Sequence, residues 1–393
     1  MSIIAAPALK SFSTYFSLAL VVFIASFLAL PTAKMVNNVY YVLLALPALW
    51  VVIIRRSEVF RVIPVDLAIW AALLIWFALL GIWSGGAQHY KHLIYIALFI
   101  IIVSRLADPK LFRQPWFARA LFWTLVFYVL GSALVYWSTG RYEVGERVLW
   151  LPSRMTGPIY TSIWIACCFV LAVPVWLGQR RWGEWVAALL AALFCMGFIL
   201  QSRSGLVALA AAVGGVACYK AFRSHRLFLY LIFTIAVAVG LVVAAANFLP
   251  EVERLFSRAD AGRVRLWAIM LNEWMDCGLL LGCGLEHQTE QLLLSGRAIN
   301  HPHSIFLSLG VFGGIIALVL FVMLMIFVLH DAWVQQDPWG LYLFTALVGL
   351  SFDGSKLIGN PDELWLLVLL PACMIGNRHK VKGFLSVRRR LRP

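Results

Sequence analysis

"SIFLSLGVFGGIIALVLFVMLMIFVL", residues 304–329, carries no charge over a length that exceeds the roughly 20 residues an α-helix needs to cross bilayer hydrocarbon. Similar runs recur along the chain, in which 63% of the 393 residues are hydrophobic and 13% are charged. One aqueous core cannot bury so many apolar runs, so lipid must solvate them. Only helices and closed barrels satisfy every backbone group there, and strict alternation is absent. The sequence therefore predicts an all-α polytopic membrane protein.

The apolar runs predict about 12 transmembrane helices, the first of them an uncleaved span that begins after Lys10. They lie at 12–30, 38–54, 65–83, 92–104, 120–137, 161–178, 185–200, 205–220, 227–248, 304–329, 339–352 and 364–376. The predicted organisation is helices one to nine over 1–248, a loop domain with an amphipathic helix over 249–303, helices ten to twelve over 304–376, and a basic tail over 377–393.

Basic residues are distributed asymmetrically between the connectors. Alternate connectors, with Lys10 and the tail, carry the whole formal net charge of +14, and the remaining connectors are neutral as a set. Because basic connectors stay in the cytoplasm, both termini are predicted inside, and 84–91, 138–160, 201–204, 249–303 and 353–363 are predicted on the outer face. The charge thus reports topology and requires no nucleic acid. The tail is expected to bind the headgroups of membrane lipids.

The segment 258–286 predicts an amphipathic helix at the membrane interface. At helical spacing, six residues share a broad apolar arc: Val264, Leu266, Trp267, Met270, Leu271 and Trp274. The two tryptophans are expected to anchor the helix at headgroup depth, and Arg265 faces the polar side. Cys277 and Cys283 share the polar stretch that follows, and the sequence leaves open whether they form a bridge. The other cysteines fall in apolar runs and are predicted to be packing residues.

The predicted outer face carries many arginines, whose planar fork suits phosphate. They are Arg141, Arg147, Arg154, Arg203, Arg254, Arg258, Arg263, Arg265 and Arg297. Arg203, in "QSRSG", either extends to the interface or binds an anion, and Gly205 allows a close backbone approach. Either Arg263, in the first turn of the amphipathic helix, or Arg265 is the phosphate ligand there. The alternative is an ion pair of Arg263 with Asp260 or Glu286.

His301 and His303 precede the tenth predicted span, with Pro302 between them to stiffen the backbone. Three interpretations compete. The histidines are interfacial hydrogen-bonding groups, or metal ligands together with His287, His89 or His92, or one of them is a general base. No metal-binding spacing such as C-x-x-C supports the second. A histidine base among arginines fits an alcohol that displaces pyrophosphate, as in metal-free glycosyl transfer from a lipid-linked donor.

Four stretches, "SRSGLVALA" (202–210), "GRVRLW" (262–267), "LLLGCGLE" (279–286) and "HPHSIFLSLGVFGG" (301–314), resemble in order and spacing the signature elements of the O-antigen ligase and polymerase superfamily. These are bacterial inner-membrane glycosyltransferases with a GT-C-like helical fold and a large periplasmic loop. The resemblance is close over roughly 200–315. The family commonly has Asn after the histidine that matches His303, and Ser304 stands here instead. This departure leaves the partner of His303 open.

The resemblance implies transfer of O-antigen polysaccharide from undecaprenyl pyrophosphate to a sugar hydroxyl of lipid A–core, without metal or other cofactor, on the periplasmic face. It makes His303 the base and makes Arg203 and Arg263 or Arg265 the pyrophosphate ligands. His301 is a further catalytic candidate because it lies beside His303 in the sequence. Arg147 and Arg154 are added from their charge and placement. Direct displacement predicts inversion at the anomeric carbon.

Two other functions remain open within the superfamily: polymerisation of lipid-linked glycans, and glycosylation of a protein Ser or Thr. The length of the chain and the moderate loop favour the ligase. A lipid-glycan flippase is the alternative from another class. It predicts charges inside the spans, and almost none lie there.

Overall fold

A computed structural model describes residues 7–60, 62–84, 87–155, 157–221, 263–289 and 301–377. Every regular element in these ranges is helical, which confirms the predicted all-α class. The predicted ninth span (227–248), the loop segments 249–262 and 290–300, and the tail beyond 377 lie outside the described residues.

The fifteen α-helices of the described ranges include several that begin with proline at their first position, where no backbone N–H is needed. They are α1 (Pro7–Ala29), α2 (Ala33–Tyr40), α3 (Leu46–Ile54), α4 (Arg56–Val59), α5 (Val65–Ser84), α6 (Ala87–Ile101), α7 (Pro109–Phe112), α8 (Pro115–Ser138), α9 (Pro158–Gly178), α10 (Trp182–Leu193), α11 (Arg203–Ala221), α12 (Arg263–Cys277), α13 (Ile305–Gln335), α14 (Pro338–Leu350) and α15 (Leu370–Gly376). Four π-helical turns, Tyr41–Ala45, Ile102–Leu106, Phe194–Ile199 and Trp365–Leu369, adjoin α-helices directly.

Eight helical segments of the described chain are long and apolar enough to cross a membrane. Shorter apolar helices, at 203–215, 338–350 and 365–376, occupy three further predicted spans. Each predicted span within the described ranges therefore coincides with an apolar helix. The chain is a polytopic membrane protein, and the full count of twelve stays a prediction because 227–248 is not described.

Helix α9 lies at the centre of the bundle. Every residue from 161 to 172 is buried, and α9 packs against α8, α10, α11 and α14. Its packing against α11 is close because Gly205 has no side chain: a Cβ there would overlap Ser162. The Ser162 hydroxyl also lies 2.5 Å from that of Ser202. The short connector that holds Arg203 is thereby fixed to the most buried helix.

Helix α13 is interrupted at Gly314, where φ is +73° and ψ is 179°. The backbone groups left without partners by the interruption form hydrogen bonds with the segment 279–283. Ile315 N donates to Leu279 O at 2.8 Å, and Cys283 N donates to Val311 O at 2.6 Å. Trp76 of α5 donates from Nε1 to the Gly313 carbonyl at 2.7 Å. Irregular backbone is tolerated in a membrane protein where other protein groups satisfy it. The interruption thus attaches the segment after α12 to α13.

The connectors form two separate polar faces. One, called here the histidine face, comprises 139–155, 200–204, 263–289, 301–304 and 351–363, which contact one another through hydrogen bonds such as Gln201 Nε2 to Gly145 O and Trp267 Nε1 to Pro302 O. At the other ends of the helices, Arg113 pairs with Asp337 at 3.0 Å and Arg119 pairs with Glu184 at 2.8 Å. The described connectors of the predicted cytoplasmic set lie at this second face.

Candidate active site

A histidine–carboxylate pair lies at the centre of the histidine face. His303 Nδ1 lies 2.7 Å from Asp353 Oδ1, and the Asp353 side chain is 4% exposed whereas that of His303 is 43% exposed. A buried carboxylate that accepts from Nδ1 holds the proton on that nitrogen and leaves Nε2 as the acceptor. The exposed edge of the His303 ring is then suited to take a proton from a substrate hydroxyl.

The backbone around His303 is held by three neighbouring groups. His303 itself adopts a left-handed conformation with φ of +51°, which costs a non-glycine residue about 1–2 kcal/mol. Ser304 is extended and precedes the first residue of α13, and Trp267 of α12 donates from Nε1 to the Pro302 carbonyl at 2.9 Å. Gly354 packs directly against the backbone of Ile305. Helices α12 and α13 and the loop after α14 therefore meet at His303.

Two arginines accompany this pair. Arg263, the first residue of α12 and half-buried, has Nη2 3.5 Å from Ser204 Oγ. Burial lowers its pKa, the charge of Asp353 raises it, and the charge of Arg203 lowers it further. Arg203 directly precedes Ser204, which Arg263 contacts, and Arg263 interacts electrostatically with both Arg203 and Asp353. The sequence predicted both residues, from segments 60 positions apart, as members of one site.

His301 and Lys356 complete the cluster. The His301 and His303 rings have centroids 4.3 Å apart. Burial, followed by the nearby His303, lowers the pKa of His301 to about 4, so its ring is neutral at physiological pH. Lys356 lies 4.1 Å above the Phe312 ring and donates to the Leu285 carbonyl, and burial lowers its pKa. Its charge also acts on His301.

Positive charge exceeds negative charge around His303. Three cations, Arg203, Arg263 and Lys356, interact electrostatically with members of this cluster. Two carboxylates, Asp353 and Glu286, do so as well. Adjacent guanidinium groups repel one another unless an anion lies between them. The arrangement can therefore hold a doubly charged phosphate group next to a base, which are the two requirements for displacing a phosphate leaving group with a hydroxyl.

The other three predicted arginines are placed differently. Arg147 Nε donates to the Leu200 carbonyl at 3.0 Å, and Arg154 Nη1 pairs with Glu363 at 2.6 Å. Arg265 is exposed on the face of α12 away from the buried residues of that helix. Among the predicted ligands, the structure thus brings together Arg203 and Arg263 with the two histidines. Phosphate-binding roles for Arg147, Arg154 and Arg265 stay predictions.

The ion pair of Arg154 borders a second buried polar group. Asp362 precedes Glu363, and its Oδ1 accepts from Leu364 N at 3.0 Å. Burial and the negative charge of Glu363 raise the pKa of Asp362 to about 8, against the opposing effect of Arg154. Asp362 is therefore largely protonated at neutral pH, and one arginine balances the two adjacent acids.

An apolar groove of about 520 Å³ runs beside the site. It lies between α12 and α13 and is lined by Val264, Trp267, Leu271, Ser304, Leu307 and Leu318 among others. Val264 and Leu271, which were predicted on the buried arc of α12, are 62% and 44% exposed. The buried side of α12 is the narrower row of Leu266, Met270 and Trp274. The wider apolar arc thus divides into a buried row and a groove wall.

Two clusters of the described residues have the ligand types of a metal site. His301, His303 and Asp353 present atoms within 4.8 Å of one another, although His303 Nδ1 already contacts Asp353. Cys277, Cys283 and a histidine form the second cluster, but the two sulfurs are joined in a disulfide and offer no thiolate. This disulfide answers the question that the cysteine spacing left open.

Sequence reasoning missed Asp353 and Lys356, which both lie in the outer connector 353–363. The only local signal is the "FDGSK" stretch at 352–356, where a buried acid and a lysine follow an apolar helix. Asp353 supplies the partner of His303 that Ser304 left open. Trp267, predicted to anchor α12 in the interface, instead donates a hydrogen bond to the histidine loop.

No curated protein matches the chain. Residues 186–322 match a family model, Wzy_C, described as O-antigen ligase. The matched segment contains Arg203, Arg263, His301 and His303, whereas Asp353 lies beyond its end. The chain is therefore similar to the O-antigen ligase family over residues 186–322, which supports a ligase- or polymerase-type function in general.

Proposed function

We propose that this protein is an O-antigen ligase of the bacterial inner membrane. It transfers polysaccharide from undecaprenyl pyrophosphate to a sugar hydroxyl of lipid A–core, with the histidine face in the periplasm and both termini in the cytoplasm. The observation that carries the proposal is the His303–Asp353 pair, 2.7 Å apart, beside Arg263 and Arg203. A base and an excess of guanidinium charge are what a hydroxyl needs to displace a pyrophosphate.

In the proposed reaction, His303 Nε2 takes the proton of the acceptor hydroxyl as its oxygen attacks the anomeric carbon of the donor sugar. The bond between that carbon and the pyrophosphate oxygen breaks, and the pyrophosphate leaves with the electron pair. Arg203 and Arg263 stabilise the charge that develops on it. Asp353 stabilises the imidazolium. Because the attack displaces the leaving group in one step, the anomeric configuration is inverted.

The apolar groove between α12 and α13 supports a lipid-linked donor. It begins at Ser304, next to His303, and its wall includes Val264, next to Arg263. A ligand with a pyrophosphate head and a long apolar tail can place the head at the arginines and the tail in such a groove. The bilayer solvates the rest of that tail.

The test uses purified protein in proteoliposomes, with a lipid-linked polysaccharide donor and lipid A–core as acceptor. His303→Ala should abolish transfer while donor binding survives, and Arg203→Ala should weaken donor binding. Activity should be undiminished by a strong chelator, as expected for a metal-independent reaction. Near wild-type transfer by both variants would refute the site. Transfer to a lipid-linked repeat, or to a protein Ser or Thr, in place of lipid A–core would assign a polymerase or a protein O-oligosaccharyltransferase.

A further inference from the structure

A pair of tyrosines in ring contact lies near the loop that carries Asp353. The rings of Tyr41 and Tyr95 have centroids 4.8 Å apart and are inclined by 38°. The Tyr41 hydroxyl donates to Asn360 Oδ1 at 3.3 Å, and the Lys91 ammonium lies 5.6 Å from the centroid of the Tyr95 ring. Three segments, the second and fourth membrane spans and the loop 351–363, thus meet at one aromatic and polar surface.

This surface differs from an ordinary belt of interfacial tyrosines. Belt tyrosines extend singly towards lipid headgroups. Tyr41 and Tyr95 are half-buried, contact each other, and are tied to a protein loop through Asn360, which is exposed. Tyr41 is also the first residue of a π-helical turn, a local distortion found frequently at functional sites. The neighbouring Tyr40 fixes the same corner, since its hydroxyl donates to the Tyr95 carbonyl at 2.6 Å.

The chemistry of this surface suits a sugar. The C–H groups on one face of a pyranose carry slight positive charge and are attracted to the negative face of an aromatic ring. The amide of Asn360 and the ammonium of Lys91 can hydrogen-bond to hydroxyl groups at the ring's edge. A site with aromatic walls and a few placed polar groups is typical of small-ligand recognition.

The surface lacks the features that the donor's head and tail require. It has no arginine among the residues described above, and the apolar groove is formed by α12 and α13, not by these two spans. It is connected to the reacting histidine through one short loop: Asp353 contacts His303 and Asn360 contacts Tyr41. The seven residues from Asp353 to Asn360 reach at most about 25 Å when extended. A short oligosaccharide can span this distance.

We infer that Tyr41, Tyr95 and Asn360 form a subsite for the oligosaccharide of the acceptor glycolipid. One sugar ring stacks on this subsite while a hydroxyl of a neighbouring sugar reaches His303. The inference rests on the proposed function for the identity of the acceptor. The subsite itself is defined by its side chains and can be measured by binding alone.

Two variants test the subsite. Tyr95→Leu removes one ring, and Asn360→Ala removes the amide at an exposed position where folding is little affected. Each should raise the KM for the acceptor about 3- to 10-fold, the range expected for losing one aromatic contact, and should leave kcat and the KM for the donor unchanged. Tyr90→Leu is the matched control, because Tyr90 is exposed on the same helix but contacts His89 instead. It should behave as wild type.

Binding of free, lipid-less acceptor oligosaccharide to the His303→Ala protein separates the two proposals. Weaker binding when Tyr95→Leu or Asn360→Ala is added supports the subsite, even if wild-type protein transfers nothing to this acceptor and the proposed function fails. Wild-type transfer together with an unchanged acceptor KM in both variants overturns the subsite and leaves the function standing. An increase in the KM for the donor, or an equal effect of Tyr90→Leu, also overturns it.

Discussion

Replacing Asp353 with Asn tests the centre of the proposed mechanism with a change of one atom. The side chain keeps its shape, so the packing of the loop around Gly354 should survive. The carboxylate that accepts from His303 Nδ1 at 2.7 Å is lost, and with it the charge that stabilises an imidazolium. Because Asp353 is 4% exposed, water cannot easily replace the missing group.

Two effects set the size of the expected loss. A charge-assisted hydrogen bond contributes about 1.5–3 kcal/mol, or about 10- to 150-fold in rate. In addition, an amide can donate to Nδ1 and thereby move the imidazole proton to Nε2, the atom that must accept the substrate proton. Such a tautomer change costs up to about 10⁴-fold in kcat in serine proteases. We therefore expect Asp353→Asn to lower kcat by about 10²- to 10⁴-fold, with a much smaller change in either KM.

The assay is initial-rate transfer in proteoliposomes with both substrates varied. Glu273→Gln is the control, because it removes a comparable histidine–carboxylate contact, 3.1 Å from His287, elsewhere on the histidine face. That variant should transfer at close to the wild-type rate. A kcat for Asp353→Asn within about threefold of wild type would show that the pair does not act in catalysis.

Three further predictions follow from the geometry. Arg263→Ala should raise the KM for the donor about 10- to 100-fold in the same assay by removing a charged contact to pyrophosphate, whereas Arg265→Ala, at an exposed position of α12, should not. Gly314→Ala places a side chain at φ +73° against neighbouring backbone, so its midpoint of thermal unfolding should fall, while Gly359→Ala meets open space and should not change it. Asp362 binds a proton in the folded state that the unfolded chain releases, so its contribution to the free energy of unfolding should fall as pH rises from about 4 to about 8, and Asp362→Asn should remove this pH-dependent loss. Equal KM values, equal midpoints or parallel pH curves would contradict the respective prediction.

The membrane-spanning architecture was predictable because it depends on composition over long windows. Hydropathy alone located the helix from Ile305, although the break at Gly314 within it was not foreseen. The glycines of "GVFGG" (310–314) allow close packing, since Trp274 covers Gly310 and Phe77 covers Gly313. What lies against Gly314 is a non-helical segment, and such a contact leaves no periodic pattern in the sequence.

The arginine–histidine part of the site was predictable for a different reason. Arg203 and His303 lie next to the ends of apolar helices, and Arg263 lies in the connector between two predicted spans, so the alternation of sides fixes that they share a face. Asp353 lies 50 residues beyond His303, in a connector whose acids have no distinguishing spacing. Its burial and its contact with Nδ1 depend on how the loop after α14 packs, and this is tertiary information.

A left-handed backbone conformation sets His303 apart within the described chain. Four non-glycine residues of the described chain have left-handed φ values: Arg180, Gln201, His303 and Gln336. Arg180, Gln201 and Gln336 follow the last turns of helical segments, where a left-handed residue is an ordinary helix ending. His303 instead stands two residues before α13 begins and follows no helix of the described residues.

In both strained connectors a buried serine, Ser202 or Ser304, separates the left-handed residue from the helix. Each conformation costs about 1–2 kcal/mol, so the surrounding contacts must offset it. Around His303 those contacts come from Asp353 and from the hydrogen bond to the Pro302 carbonyl; around Gln201, its amide donates to the Gly145 carbonyl at 2.8 Å. Because an unstrained residue at position 303 would turn the imidazole in another direction, the strain there is best explained as the cost of holding the ring against Asp353.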